Sequence, residues 1–227
     1  MKKRALSVFV AVLMLFSAAL PAAAANPYCK LESGCPAVNY RDLDKHSKYD
    51  EERYHEATDF VILRGWMLGT NDKVWFTGFS CTRAHLIATL WKIDGMPTVD
   101  FDINYTDVKE NSWFLEPVRW GASLGIATGM GDGSWGQILE PDPQTVLTVL
   151  WRYCKYRGLV PDGFTPTAEV DLSNIQPWAR DAVLWGASLG MYEDFEGFLK
   201  LRYLSREQVA EILMFLHREI GLDSRVK

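Results

Sequence analysis

The chain has 227 residues, 48% of them hydrophobic, and a formal net charge of −5 at pH 7. A protein this acidic is not expected to bind nucleic acid through a broad basic face, because phosphate backbones are bound mainly by clustered Lys and Arg. Its length fits one domain, or a few small units that share a core.

The first 25 residues have the composition of a secretory signal peptide. A basic start (KKR) is followed by an apolar run over residues 5–20 and by small residues that end at Ala25. The run is shorter than the ~20 residues of a membrane-spanning helix. Cleavage would remove three positive charges and move the net charge from −5 to −8. We therefore predict a secreted protein without membrane insertion after cleavage.

Four cysteines follow the predicted signal peptide, namely Cys29, Cys35, Cys81 and Cys154. Cys29 and Cys35 enclose a short loop, so a local disulfide is one possible pairing in an exported protein, although four cysteines allow three pairings. Their spacing matches no zinc-binding pattern, and we predict buried thiols for Cys81 and Cys154. No metal site and no cofactor are expected.

The hexapeptide WGASLG occurs twice, at 120–125 and at 185–190. The similarity extends to SWFLEPVRWGASLG and PWARDAVLWGASLG, and upstream YTDV at 105–108 corresponds to EVDL at 169–172. An earlier copy aligns with the first of these at an offset of 60 residues. GTNDKVW at 69–75 corresponds to GMGDGSW at 129–135, and TLWK at 89–92 corresponds to VLWR at 149–152. This periodicity predicts an internal repeat.

The repeat divides the predicted mature chain into a short N-terminal segment (26–39) and three units. Unit 1 covers 40–98, unit 2 covers 105–160 and unit 3 covers 169–221. Each begins with an Asp between apolar neighbours, namely Asp42, Asp107 and Asp171. Helical spacing of apolar residues predicts a helix, a loop and a second helix in every unit.

The first helix of unit 3 is predicted to start at Pro177, where proline is favoured, whereas Pro117 predicts a late or kinked start in unit 2. Gly125 and Gly190 are suited to the left-handed residue that ends a helix.

The second helices are predicted from caps and apolar stripes. The caps and their partners are Thr82 with His85, Asp142 with Thr145, and Ser205 with Gln208. The stripes are Leu86, Leu90 and Ile93; Val146, Val149, Leu150 and Tyr153; and Val209, Ile212, Leu213 and Leu216. One unit could not bury such a face alone, so we predict that the three faces meet in a central three-helix bundle.

These features together resemble the S-layer homology domain family. The resemblance rests on YTDV, the twin WGASLG, GMGDGSW at 129–135, CTRAH at 81–85 and LSREQ at 204–208. It implies an all-α fold of three tandem repeats that form a pseudo-threefold helical prism. It also implies a non-catalytic module that attaches exported proteins to the secondary cell-wall polysaccharide, often pyruvylated, through grooves between repeats.

From the resemblance we expect a location at the cell wall or surface layer, with an envelope protein as a possible partner. The candidate ligand-binding residues are Arg83, Arg206, Trp113, Trp178, Asp107, Asp171, Asp132 and Gly133. An Arg that follows a helix cap could bind the carboxylate of a pyruvylated sugar, with help from the helix dipole. Arg83 and Arg206 could equally be solvated first-turn residues.

The other candidates also have structural interpretations. Trp113 and Trp178 could stack on a sugar ring, but we predict core positions for them. The opening aspartates are predicted to cap the first helices. Asp132 and Gly133 are predicted to form a tight turn.

Several positions depart from the family pattern. Pro143 occupies the Arg position of unit 2, so at most two grooves are expected to keep a binding set. His85 and Gln208 stand where the family has Glu, Arg53 replaces the Trp of later units, Lys73 interrupts the first loop, and the loop EDFEGF of unit 3 is out of register.

Two other functional classes also occur among secreted helical repeat proteins. A secreted wall-glycan hydrolase would need two facing carboxylates or a nucleophile motif, and the sequence contains neither a zincin pair of histidines nor a Gly-x-Ser-x-Gly elbow. An interaction protein that keeps the fold but has lost glycan binding is the stronger alternative, because Pro143 and the altered loops weaken the binding pattern.

Overall fold

The computed structural model describes residues 34–43, 52–69 and 74–223. The predicted signal peptide and Cys29 lie outside these residues. The described part contains seven α-helices and no β-strand, which confirms the all-α prediction. The helices are α1 (Glu52–Leu63), α2 (Arg83–Ile93), α3 (Leu115–Ser123), α4 (Pro143–Tyr156), α5 (Arg180–Ser188), α6 (Phe195–Leu199) and α7 (Arg206–Ile220). Two 3-10 helices, Pro36–Asn39 and Pro177–Ala179, precede α1 and α5.

The three predicted caps begin α2, α4 and α7. The side chains of Thr82, Asp142 and Ser205 each accept a hydrogen bond from the N–H three residues later. At α7 the Gln208 side chain also accepts from the Ser205 N–H at 2.8 Å, which completes a capping box. These local bonds fix where the second helices start, as predicted.

The first helices begin as their prolines indicate. Pro117 lies in the first turn of α3, so the helix starts late and leaves Trp113 outside it. Pro177 is the first residue of the 3-10 helix before α5. Gly125 and Gly190 follow the helix ends with φ of 67° and 69°, as predicted for a left-handed C-terminal residue.

Each first helix packs against a second helix from elsewhere in the chain. The pairs are α3 with α2, α5 with α4, and α1 with α7. In terms of the predicted units, a first helix packs on the second helix of the unit before it, and α1 packs on the last. The segment EDFEGF, which does not align with the other loops, contains the short helix α6.

The segments that lead into α2, α4 and α7 are joined by backbone hydrogen bonds. The Cys81 N–H donates to the Leu204 carbonyl at 2.9 Å, and the Leu204 N–H donates to the Pro141 carbonyl at 3.3 Å. Ser80 and Ser205 form an antiparallel bridge. These bonds bring the starts of the three second helices together.

The core is built from the apolar stripes of the second helices. All eleven predicted stripe residues are buried, as are Trp75, Trp120, Trp135 and Trp185. Cys81 and Cys154 are buried thiols, as predicted, and burial raises their pKa to about 11 and about 12. The central bundle and the pseudo-threefold prism stay predictions. Within the described ranges, no helix has the length and hydropathy to cross a bilayer.

Candidate ligand-binding grooves

Arg83, the first residue of α2, is held against a loop of unit 2. Only 9% of its surface is exposed. Its guanidinium lies 4.7 Å from the centre of the Trp135 ring, and it donates to the carbonyls of Thr128 at 2.8 Å and of Trp135 at 3.2 Å. The solvated first-turn interpretation of Arg83 is therefore wrong, because the guanidinium is committed to the loop.

Arg206, the first residue of α7, makes two corresponding contacts with unit 1, one with a tryptophan ring and one with a loop carbonyl. It is 3% exposed, its guanidinium lies 4.4 Å from the centre of the Trp75 ring, and it donates to the Leu68 carbonyl at 3.0 Å. Leu68 and Trp75 precede Thr128 and Trp135 by 60 residues, so the two contacts occupy matching repeat positions. The solvated interpretation is wrong for Arg206 as well.

A groove of about 380 Å³ opens beside Arg83. Its walls include the guanidinium groups of Arg83 and Arg152, the hydroxyls of Thr145 and Thr148, and the ring of Trp178. Val149 and residues 126–130 complete the lining. The groove thus combines two cations, hydroxyl groups and an aromatic ring, drawn from all three predicted units.

The two arginines make this groove positive. Burial lowers the pKa of Arg83, and the nearby positive charge of Arg152 lowers it further. An arginine guanidinium is a permanent cation in proteins. An anion bound between them would relieve their mutual repulsion.

A matching set of residues surrounds Arg206. Burial lowers the pKa of Lys92, and the positive charge of Arg206 lowers it further. In the repeat, Lys92 aligns with Arg152. Burial, with help from Arg206 and Lys92, lowers the pKa of His85 to about 4, so its imidazole is neutral at pH 7. The Trp113 ring lies 5.2 Å from the His85 ring. Arg206, Lys92 and Trp113 therefore correspond to Arg83, Arg152 and Trp178.

Trp113 and Trp178 are exposed, by 60% and 51% respectively, so the predicted core position is wrong for both. Each lies before its α-helix proper, because Pro117 delays α3 and a 3-10 helix precedes α5. The helical stripe begins only later, and its tryptophans, Trp120 and Trp185, are buried.

Asp107 and Asp42 brace the loops that carry the buried tryptophans. Asp107 accepts hydrogen bonds from the N–H groups of Trp135 at 2.7 Å and Gly136 at 2.8 Å. Asp42 accepts equivalent bonds from residues 75–77. Burial alone would raise the pKa of Asp107, but the backbone donors outweigh it and lower that pKa. The predicted capping role is wrong for both residues.

The remaining candidates make only local contacts. Asp132 accepts from the Ser134 N–H at 2.8 Å, and Gly133 has φ of 89°, which confirms the predicted tight turn. Asp171 is exposed and accepts from the Ser173 N–H at 2.9 Å. None of these three lines the groove beside Arg83. Of the eight candidates, the structure brings Arg83 and Trp178 together in that groove.

Pro143 is the first residue of α4 and therefore stands where Arg83 and Arg206 stand in α2 and α7. Without a guanidinium, this position cannot form the Arg–Trp contact of the other two.

Arg152 and Lys92 were missed as site residues. The signal was available, since TLWK and VLWR place a cation at the same repeat position. The aligned sequence does not show that Arg152 lies near Arg83, or Lys92 near Arg206, because these pairs belong to different units.

One segment of the chain matches a known family. Residues 104–134 match the model of the S-layer homology domain. The match includes Asp107, the whole of α3 and the turn at Asp132, and it ends one residue before Trp135. No curated protein matches the chain.

This S-layer homology segment points to a cell-envelope binding module. Domains of this kind are generally non-catalytic and associate with the cell surface or the S-layer.

Proposed function

We propose that the protein is a non-catalytic module that binds secondary cell-wall polysaccharide through grooves between its three repeats. In this proposal the repeats form a pseudo-threefold prism and the secreted chain is held at the cell wall. The observation that carries the proposal is the groove that brings Arg83, Arg152 and the exposed Trp178 together.

The cations suit an acidic sugar. A guanidinium has five N–H donors, and Arg83 uses two of them on loop carbonyls, which leaves three for a ligand. Arg83 also stands at the N-terminus of α2, where the helix dipole favours an anion. A carboxylate such as that of a pyruvate ketal would bind between Arg83 and Arg152.

The rest of the groove suits the sugar ring itself. The exposed Trp178 ring can cover an apolar sugar face, and the half-buried Thr145 can exchange hydrogen bonds with sugar hydroxyls. The set formed by Arg206, Lys92 and Trp113 is proposed as a second groove of the same kind. The unit interface at Pro143 lacks the cation and is proposed to be structural.

Sedimentation with purified wall sacculi tests the proposal. The variants remove groove residues that are exposed or half-buried, because Arg83 and Arg206 also hold loops in place. Arg152→Ala with Trp178→Ala should weaken binding by about 10- to 100-fold, the equivalent of losing one charged hydrogen bond of roughly 1.5–3 kcal/mol. Adding Lys92→Ala and Trp113→Ala should abolish sedimentation.

The matched control is Arg202→Ala with Tyr203→Ala, which removes an exposed cation and an exposed aromatic outside the groove beside Arg83. It should sediment like the unaltered protein. Sacculi stripped of polysaccharide should retain none of these proteins. Retention on stripped sacculi would instead support an interaction protein with a proteinaceous partner, and full binding by the folded four-residue variant would contradict the groove assignment.

A further inference from the structure

A cysteine, a histidine and an aspartate meet where the N-terminal segment contacts α1. Cys35 immediately precedes the 3-10 helix Pro36–Asn39, which packs against α1. His55 and Asp59 are four residues apart on α1, so they lie on one face of that helix. Both are buried, at 6% and 3% exposure, while Cys35 is half-buried.

The ligand atoms of these side chains lie within 4.8 Å of one another. The Cys35 Sγ is 3.3 Å from His55 Nε2 and 3.7 Å from Asp59 Oδ1. The His55 Nε2 is 3.2 Å from Asp59 Oδ2. One sulfur, one imidazole nitrogen and one carboxylate therefore converge on a single point.

These separations fit the geometry of a tetrahedral zinc ion. With Zn–S of about 2.3 Å and Zn–N or Zn–O of about 2.0–2.2 Å, neighbouring ligand atoms stand about 3.3–3.7 Å apart. The distances in the structure are 3.2–3.7 Å, so a metal ion could be bound with only small side-chain movements.

We propose that Cys35, His55 and Asp59 bind Zn²⁺. A thiolate and a carboxylate would together neutralise the charge of the ion, and the neutral imidazole would supply a third ligand. Mixed sulfur, nitrogen and oxygen donors in a tetrahedral arrangement favour zinc over calcium or magnesium, which prefer oxygen alone. Water or a further ligand would occupy the fourth position.

The zinc site would tie the N-terminal segment to the first helix. This departs from the expectation of no metal site, which rested on the spacing of cysteines and of histidines along the chain. Because the metal needs the Cys35 thiolate, zinc binding and the possible Cys29–Cys35 disulfide are alternative states of the same sulfur. The site is far in sequence from Arg152 and Trp178 and does not depend on the proposed glycan binding.

Zinc binding by the reduced mature chain tests the proposal. Competition with a chromophoric chelator should give one Zn²⁺ per chain, and Co²⁺ should produce a thiolate-to-cobalt charge-transfer band. Cys35→Ser and His55→Ala should each weaken zinc binding by more than about tenfold, since even second-shell losses cost that much. Cys35→Ser should also abolish the charge-transfer band.

His217→Ala is the matched control. His217 forms an even closer pair with Asp223, at 2.6 Å between Nδ1 and Oδ1, and no sulfur atom belongs to that pair in the described structure. This variant should bind zinc normally. Asp59→Asn keeps the side-chain volume and distinguishes ligand loss from misfolding, because it should weaken zinc binding while circular dichroism without metal stays unchanged. Absence of zinc binding by the reduced chain, or unchanged binding by Cys35→Ser, would overturn the proposal.

Discussion

At the residue level, aspartates at equivalent repeat positions accept hydrogen bonds from different parts of the chain. Asp42 and Asp107 each accept several backbone N–H groups of the loop after the first helix. Asp171 accepts from its own neighbour, Ser173. The loop that it would brace contains α6 instead, so its geometry differs. Repeat position alone therefore does not determine what these carboxylates bind.

Asp107→Asn should lower the free energy of unfolding at pH 7 by about 1–3 kcal/mol, because backbone donors lose a charged acceptor. The backbone bonds lower the folded pKa of Asp107, so this contribution is present above the ordinary aspartate pKa of about 3.9 and is lost as the pH falls through the folded pKa. Urea unfolding at several pH values should show the difference between the two proteins shrinking in acid.

Asp171→Asn serves as the control for that experiment. Its carboxylate is exposed and makes one local turn, so the variant should change stability by less than about 0.5 kcal/mol. Equal effects of the two substitutions would contradict the bracing role of Asp107.

At the level of elements, the repeated WGASLG serves as a helix-packing and helix-ending segment. Its Trp is buried, and its last Gly adopts a left-handed conformation in both copies. Its first Gly allows close approach of another helix: a Cβ on Gly121 would lie 2.5 Å from Ile87 Cδ1, and one on Gly186 would lie 3.0 Å from Leu147 Cδ2. The two copies thus pack on α2 and α4, and the tighter contact is the one at Gly121.

Gly121→Ala should therefore be more destabilising than Gly186→Ala. Both substitutions gain up to about 1 kcal/mol of helix propensity. Because this gain is common to both, the difference between their free energies of unfolding measures the packing contribution. Overpacking against buried Ile87 should cost about 1–3 kcal/mol in Gly121→Ala. Thermal and urea unfolding would measure the stability of both variants. If Gly186→Ala were the less stable one, the tight contact between Gly121 and Ile87 would be contradicted.

At the level of the whole molecule, the first and last helices of the described chain are in contact. α1 packs on α7, and the Glu207 side chain accepts hydrogen bonds from the Gly78 N–H at 2.7 Å and from the Thr77 hydroxyl. Units 1 and 3 are therefore joined directly as well as through unit 2. Such long-range contacts favour one cooperative folding unit over three independent ones.

A chain truncated before Arg206 should lose cooperative unfolding, because α1 would lose the face it packs on and Thr77 would lose its buried partner. The full chain should unfold in one transition with the same midpoint by tryptophan fluorescence and by far-ultraviolet circular dichroism. Retention of the full-length midpoint by the truncated chain would contradict a shared core.

Local patterns were sufficient to predict much of this protein. Caps depend on side chains three residues apart, helix ends on a single Gly, and buried stripes on a period of 3.6, so Thr82, Gly125 and the second-helix faces could be read from neighbours in the chain. The candidate arginines were expected from the resemblance to the S-layer homology family, each directly after a helix cap. The caps, the helix ends and the apolar stripes are each decided within a few turns of helix.

The environment of each side chain depended on contacts between distant segments. Arg83 is buried because it meets a loop about 50 residues away, Trp178 is exposed because its helix starts after it, and Cys35 reaches α1 only through the packing of the N-terminal segment. Burial, the pairing of Arg83 with Arg152 in one groove, and the meeting of Cys35 with His55 are all set by chain packing. The helical periodicity of a short segment does not determine its distance from a segment elsewhere in the chain.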